Sequence, residues 1–270
     1  MLNPLTIIGF SLILFIAFLA VFPNWLTPYS IYDLNVRPMG VDFAPPSVEH
    51  PLGTTKLGWD VLGRLIWGAR TSLTAGLVAI TVSVSFGTFI GVISAYLGGI
   101  VDSIIMRIFD LIIAFPNLVL LLVIVQLIEP TLFNILLVFG ILGIPGYARL
   151  VRATVLQVKE NLYVEAAITS GADKFRTMFS HILPNALSPI IISVFGALGA
   201  TILGISGLAF LGISDAEMID WGSDINVART RFFSNPSISL WPGLFIGVTV
   251  LGFMLIGDGM RDALDPRLKK

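Results

Sequence analysis

Long apolar segments constrain the fold of this chain more than any other feature. A helix needs about 20 apolar residues to cross a hydrocarbon core roughly 30 Å thick. Six segments reach that length, namely 5–22, 72–95, 104–128, 132–150, 186–212 and 240–257. Only 12% of the 270 residues are charged, whereas a soluble domain carries about 25%. We therefore expect an all-α polytopic membrane protein with about six spans.

The first apolar segment also has to be compared with a cleaved signal peptide. No Lys or Arg precedes it, no small-x-small cleavage site follows it, and its run is longer than a usual signal-peptide core. We interpret it as a retained first span.

The Lys and Arg residues near the span ends indicate the orientation of the chain. Cytoplasmic loops carry an excess of these residues. With the N-terminus inside, ten of the 16 fall on the cytoplasmic side and six outside. The N-terminus, the C-terminus and the loop between spans four and five are then cytoplasmic. The net charge of −1 gives no electrostatic reason to expect a nucleic-acid partner.

The loop between spans four and five is polar in an otherwise apolar chain. Asn161 can cap a short helix that runs through Glu165. Gly171 then permits a sharp turn, and Pro184 restarts the chain into span five. The sequence predicts two short helices at an angle, projecting from the membrane.

The second of these helices has one apolar face. Its members recur at positions i, i+3, i+4 and i+7, and they are Phe175, Met178, Phe179 and Ile182. Lys174, Arg176, Thr177 and Ser180 lie largely elsewhere on the helix. The apolar face must be covered, either by the membrane surface or by a groove on another protein. The residues alone leave both alternatives open.

Polar residues inside the third span have two interpretations. Asp110 lies one turn after Arg107 and can pair with it, while Pro116 kinks the helix beside Asn117. The group is then structural. Alternatively Asp110, Pro116, Asn117 and Gln126 belong to a polar translocation path.

Small residues recur every four positions in three spans. They are Gly87 and Gly91, then Gly196, Ala200 and Gly204, and finally Gly243 and Gly247. This spacing lets helix backbones approach closely in lipid. We expect packing within the bundle, with a subunit interface as the alternative.

The polar loop between spans four and five resembles a motif of a known family. Glu165-Ala166-Ala167, followed by Gly171 and later by Leu183-Pro184, resembles the EAA loop of the membrane subunits of ATP-binding-cassette (ABC) importers. His181 departs from the general pattern, which has an aliphatic residue there. The match therefore points to the version found in peptide-type permeases.

Two further stretches resemble the C-type permease subunit of the dipeptide, oligopeptide and nickel transporter family. They are "HPLGTTKLGWDVLGRLIWGARTSL", which begins at His50, and the C-terminal "GDGMRDALDPRLKK". Thr55 and Trp59 depart from the family pattern. Three matches in the right order extend the resemblance over nearly the whole chain.

The resemblance implies a type I ABC importer transmembrane fold in a prokaryotic cell membrane. The chain would be a permease subunit that forms half of a translocation pore for peptides. The implied partners are a second homologous permease subunit, two ABC ATPase subunits, an external solute-binding protein and membrane lipid. ATP and Mg²⁺ would bind the ATPase subunits, because this chain has no GxxxxGK[ST] run. It would be neither an enzyme nor a metal protein.

Residues for contact with the ATPases follow from the EAA loop. The resemblance assigns this role to Tyr163, Glu165, Ala166, Ala167, Gly171, Phe175, Arg176, Met178 and Phe179. Residues 1–70 would hold the first span, an external loop and an amphipathic helix. Residues 71–260 would form the transmembrane domain, with its coupling loop at 160–184, and residues 261–270 a cytoplasmic tail.

The amphipathic helix at 59–69 brings Asp60 and Arg64 within one turn, so that the two can pair. We interpret it as a surface helix on the outer leaflet that braces span two. A contact with the external solute receptor is the alternative.

Other functions remain as alternatives. Within the same family the cargo can be nickel, another metal chelate or an oligosaccharide. A stand-alone secondary carrier would need chains of ionisable residues inside its spans, and none is apparent. A membrane enzyme would need clustered ligands or catalytic groups, yet the only histidines are His50 and His181, both in predicted loops.

Overall fold

The computed structural model describes residues 4–264, and most of them are helical. The α-helices are α1 Pro4–Val21, α2 Pro23–Leu26, α3 Val61–Leu97, α4 Gly99–Ala114, α5 Asn117–Leu127, α6 Leu132–Lys159, α7 Leu162–Thr169, α8 Lys174–Arg176, α9 Leu183–Phe210, α10 Trp221–Ala228 and α11 Ser237–Leu264. Within this range there is no β-strand, only an isolated bridge between Thr54 and Asp60. Most of the predicted tail, 265–270, lies outside the described residues, and 261–264 continue α11.

Five helices are long and apolar enough to cross a membrane, and a bent pair supplies a sixth span. The bent pair is α4 and α5, which meet at 87°. Phe115 is extended there, with φ −84° and ψ 139°, because a residue before proline avoids helical geometry. The predicted kink at Pro116 is therefore a complete break in the helix, and the prediction of about six spans is confirmed.

The long helices alternate in direction, so each end of the bundle collects a distinct set of loops. Thr6 of α1 lies against Gly259 of α11, and the Lys159 ammonium donates to the Tyr96 carbonyl at 3.4 Å. This end carries both described termini and the polar loop 160–182. At the opposite end, the Leu132 amide donates to the Asp215 carboxylate at 2.8 Å.

Two of the predicted glycines do bring helices together. A Cβ on Gly91 would lie 2.5 Å from the Ala148 carbonyl oxygen, so α3 and α6 approach closely at this position. Gly87 makes the same kind of approach to Tyr147. A Cβ added to Gly196 or to Gly247, in contrast, would meet no heavy atom outside its own helix within 4 Å. The expectation of packing within the chain is confirmed for the first pair, whereas the exposed Gly196 and Gly247 keep the subunit interface as the alternative.

The segment predicted as a separate surface helix is instead the buried beginning of α3, which runs unbroken for 37 residues. Arg64 is buried and bonds the Asp224 carboxylate at 2.6 Å. Asp60 caps the helix by accepting from the Gly63 amide at 2.6 Å, and it contacts His50 Nδ1 at 2.9 Å.

The predicted Asp60–Arg64 pair and the predicted lipid-surface position are therefore wrong. The physical reason is that residues 27–60 and α10 cover this end of α3 and supply closer partners. The boundary placed between residues 70 and 71 falls inside the same helix.

Candidate functional site

The polar loop joins α6 to α9 and contains two short helices. Asn161 occupies the position before α7 with extended backbone, φ −77° and ψ 141°. Its side chain does not cap α7, because the amide donates to the Val158 carbonyl at 2.9 Å. The predicted capping bond of Asn161 is therefore wrong, although the helix starts where expected.

A tight turn connects the two helices. Gly171 has φ +88°, a left-handed conformation that glycine adopts at little cost. Asp173 then caps α8 by accepting from the Arg176 amide at 2.7 Å. The sharp turn predicted at Gly171 is confirmed.

The second short helix does not end before the next span. A π-helical segment, Thr177–Ile182, links α8 directly to α9, so the expected restart at Pro184 is wrong. Pro184 lies in the first turn of α9, where its missing amide hydrogen is tolerated. His181, predicted in a loop, lies in the π-helical segment.

One side of the loop is anchored in the bundle. Val164, Thr177 and Ile182 are fully buried, and Val164 and Ile182 belong to a cluster with α3 and α6 residues such as Val92 and Val155. Met178 packs against the same cluster. Thr177 was expected away from the apolar face but is buried. Its burial is tolerated because its hydroxyl donates to the Asp173 carbonyl at 2.8 Å.

The other side of the loop presents apolar residues outward. Phe175 is 70% exposed, and its ring lies 4.6 Å from that of Phe179. Tyr163 is exposed on α7, together with Leu162 and Ile168. Leu162 and Ile168 are not among the predicted contact residues, because the predicted apolar face lies only on the second helix.

The expected contact residues therefore fall into two groups. Those exposed are Tyr163, Glu165, Ala166, Gly171, Phe175 and Arg176, while Ala167, Met178 and Phe179 are partly buried. Of the three apolar side chains expected to be anchors, Phe175 projects furthest. Met178 stabilises the loop from within.

The polar residues of the third span are connected differently from the prediction. Asp110 bonds Arg149 of α6, so the predicted pair with Arg107 is wrong. The cause is the proximity of α6, which also supplies Arg152 to Asp102 at 2.5 Å. These two ion pairs join α4 to α6.

The remaining residues expected along a translocation path lie on the bent pair. Pro116 is at the break, Asn117 begins α5, and Gln126 is near its end. All three are exposed, as is Asp110. The rest of the chain leaves these residues uncovered, and Asn117 and Gln126 lie on opposite sides of α5 because they are nine residues apart in one helix. No group of three potential metal-ligating side chains converges anywhere in residues 4–264.

Comparison with known proteins identifies a family whose model matches residues 87–270. Its description is "binding-protein-dependent transport system inner membrane component". Among curated proteins, the dipeptide transport system permease protein of Alkalihalophilus pseudofirmus is 40% identical over 270 residues. That alignment covers 99% of this chain and 87% of the relative.

Two further relatives are similar over the same extent. The glutathione transport system permease protein of Pectobacterium atrosepticum is 37% identical, covering 97% of this chain and 86% of the relative. The probable D,D-dipeptide transport system permease protein of Escherichia coli is 35% identical, covering 98% and 88% respectively.

Proposed function

This chain belongs to the family of inner membrane components of binding-protein-dependent transport systems, and we propose that it carries peptides as half of an ATP-driven import pore. It is a membrane-spanning permease subunit. The relatives named above are permeases for dipeptides or glutathione, and this favours a short peptide over nickel, another metal chelate or an oligosaccharide.

The exposed apolar surface of the polar loop is the observation that carries the proposal. Leu162, Tyr163 and Ile168 project from α7, and Phe175 projects from α8 at the end of span five. Apolar side chains grouped on a water-exposed surface mark a place where a partner binds. The loop is also anchored from behind by buried Val164 and Ile182, so it is a firm projection.

We propose that an ABC ATPase subunit provides the groove for this loop. Phe175, supported by Phe179, would enter the groove from one helix and Tyr163 from the other. Ala166 and Ala167, having small side chains, would allow close approach. Glu165 and Arg176 would meet charges at the rim. Gly171 would set the angle between the two helices, while Met178 would hold α8 against the bundle.

The complete transporter would contain two such permease subunits and two ATPase subunits. ATP and Mg²⁺ would bind the ATPases, and an external solute-binding protein would deliver the peptide from the opposite side of a prokaryotic cell membrane. Within this arrangement we propose that residues 71–260 form the transmembrane domain, with the coupling loop at 160–184.

Closure of the ATPases would displace the loop. Because the π-helical segment joins α8 to α9 without a break, a displacement of the loop reaches span five directly. Spans three to six would swing between inward-open and outward-open arrangements, as a rigid-body switch. The exposed residues Asp110, Pro116, Asn117 and Gln126 would lie along the path that the peptide takes.

Uptake by the reconstituted transporter tests the proposal. The purified complex is placed in liposomes with ATP inside and the solute-binding protein outside. We expect accumulation of a labelled dipeptide that depends on ATP and on the binding protein. Uptake of a nickel chelate or an oligosaccharide, without competition by dipeptides, would overturn the peptide assignment. Dipeptide uptake by the chain alone would instead indicate a secondary carrier.

A further inference from the structure

The surface opposite the coupling loop carries a cleft with an excess of positive charge. Its charged lining residues are Lys56, Arg229, Arg231 and one acid, Asp42. The Asp42 carboxylate accepts a hydrogen bond from the Leu57 amide at 2.9 Å, and the three cations outnumber it. Within the part of the chain that the structure describes, the three cations form no ion pair with a carboxylate.

Three other acids of the outer loops have partners within the chain and do not line this cleft. Asp220 accepts from the Ser223 amide at 2.8 Å, Asp224 pairs with Arg64, and Asp215 accepts from the Leu132 amide. The lining itself, with three cations and one acid, has an excess of positive charge, although the outer loops contain many acidic residues.

Aromatic side chains extend the same surface. Phe233 follows the two arginines and is fully exposed, at 101%. Its ring meets that of Phe232 at a centroid distance of 5.9 Å, while the Arg231 guanidinium lies over the Phe43 ring. Arginine and aromatic side chains are enriched in protein interfaces and carry much of their binding energy.

The base of this surface is rigid. Arg229 follows α10, which is fixed by the buried Arg64–Asp224 pair and by the Trp221 indole, which donates to the Leu65 carbonyl at 3.0 Å. Burial raises the pKa of Asp224 to about 6, and the Arg64 guanidinium opposes that rise by favouring the charged carboxylate. A rigid base holds the exposed cations in one arrangement and lowers the entropic cost of binding.

We propose that Lys56, Arg229, Arg231 and Phe233 form a docking surface for an acidic patch on the external solute-binding protein. The inference rests on the proposed function, which requires such a partner on this side of the membrane. The cations would attract the acidic patch and orient it, and Phe233 would be buried in the contact. Electrostatic attraction of this kind acts mainly on the association rate and depends on salt.

Binding of the solute-binding protein to the complete transporter in nanodiscs tests the proposal. Arg229→Glu is compared with Arg37→Glu, a change of the same charge at an exposed residue whose partner is Asp33, 4.0 Å away. For Arg229→Glu we expect Kd to rise at least tenfold and the salt dependence of association to weaken. We expect Arg37→Glu to change Kd by less than twofold. For Phe233→Ala we expect faster dissociation.

The readouts separate this proposal from the proposed function. Basal ATPase activity and the yield of copurified ATPase should be unchanged in all three variants, because these residues lie at the opposite end of the bundle from the coupling loop. Equal Kd values for Arg229→Glu and Arg37→Glu, with binding and stimulation intact, would overturn the docking surface alone. A wild-type chain that binds no ATPase would overturn the proposed function, and the docking surface with it.

Discussion

Replacing Gly171 by valine perturbs the coupling loop at a single backbone position. Gly171 has φ +88°, and an added Cβ would meet no heavy atom within 4 Å. The whole cost therefore comes from the left-handed backbone, which disfavours an L-residue by about 1–2 kcal/mol. About 1.4 kcal/mol changes the ratio of two conformations tenfold. The turn should consequently rearrange, while the buried anchors Val164 and Ile182 keep the rest of the chain folded.

Membrane yield, ATPase copurification and dipeptide uptake measure the consequences separately. We expect normal yield of Gly171→Val in the membrane, with copurified ATPase and uptake both reduced about tenfold. Gly171→Asn should retain most of both, because asparagine tolerates left-handed geometry better than valine does. Gly212→Val is a matched control at the opposite end of the bundle. Gly212 has φ +90°, and a Cβ added there would lie 3.8 Å from its nearest atom, Asn226 Nδ2.

Normal uptake and normal ATPase copurification in a well-expressed Gly171→Val transporter would show that coupling does not need the turn at Gly171. Equal loss of ATPase in Gly212→Val would also refute the role of this turn, because backbone strain at any exposed turn would then produce the same defect.

Three further predictions concern packing, charge and coupling. Gly91→Val should lower the melting temperature of the purified chain, because its side chain would overpack α6, whereas Gly247→Val faces open space and should leave it unchanged. Asp224→Ala should destabilise the fold by about 3–5 kcal/mol in reversible unfolding, because Arg64 would be buried without its partner; equal stability would contradict the burial. Glu165→Lys should weaken substrate-stimulated ATPase activity. Unchanged stimulation would mean that Glu165 makes no contact needed for coupling.

The positions of the spans could be read from the sequence because lipid imposes a simple rule on helix length and composition. All six predicted segments correspond to α1, α3, the α4–α5 pair, α6, α9 and α11. The break at Pro116 was also accessible, since proline acts through local covalent geometry. Its 87° angle was not, because the angle depends on how α4 packs against α6.

Long-range pairing was the part that local reasoning could not supply. Arg64 pairs with Asp224, 160 positions away in the sequence, and Asp110 pairs with Arg149 on a neighbouring helix. In both cases the prediction chose the nearest opposite charge along the sequence. The two short helices of the coupling loop were foreseen, but the continuity of α8 with α9 depends on a π-helical segment that propensity does not reveal.

Contact between the polar loop and an ABC ATPase is the central claim, and site-specific photo-crosslinking tests it most directly. A photoreactive amino acid replaces Phe175 in the complete chain, and another replaces Leu14, an exposed residue of the first span. After irradiation of native membranes, we predict that the Phe175 adduct contains a P-loop ATPase and that the Leu14 adduct does not. Efficient labelling of lipid alone at Phe175, in membranes where the transporter is assembled and active, would contradict the account.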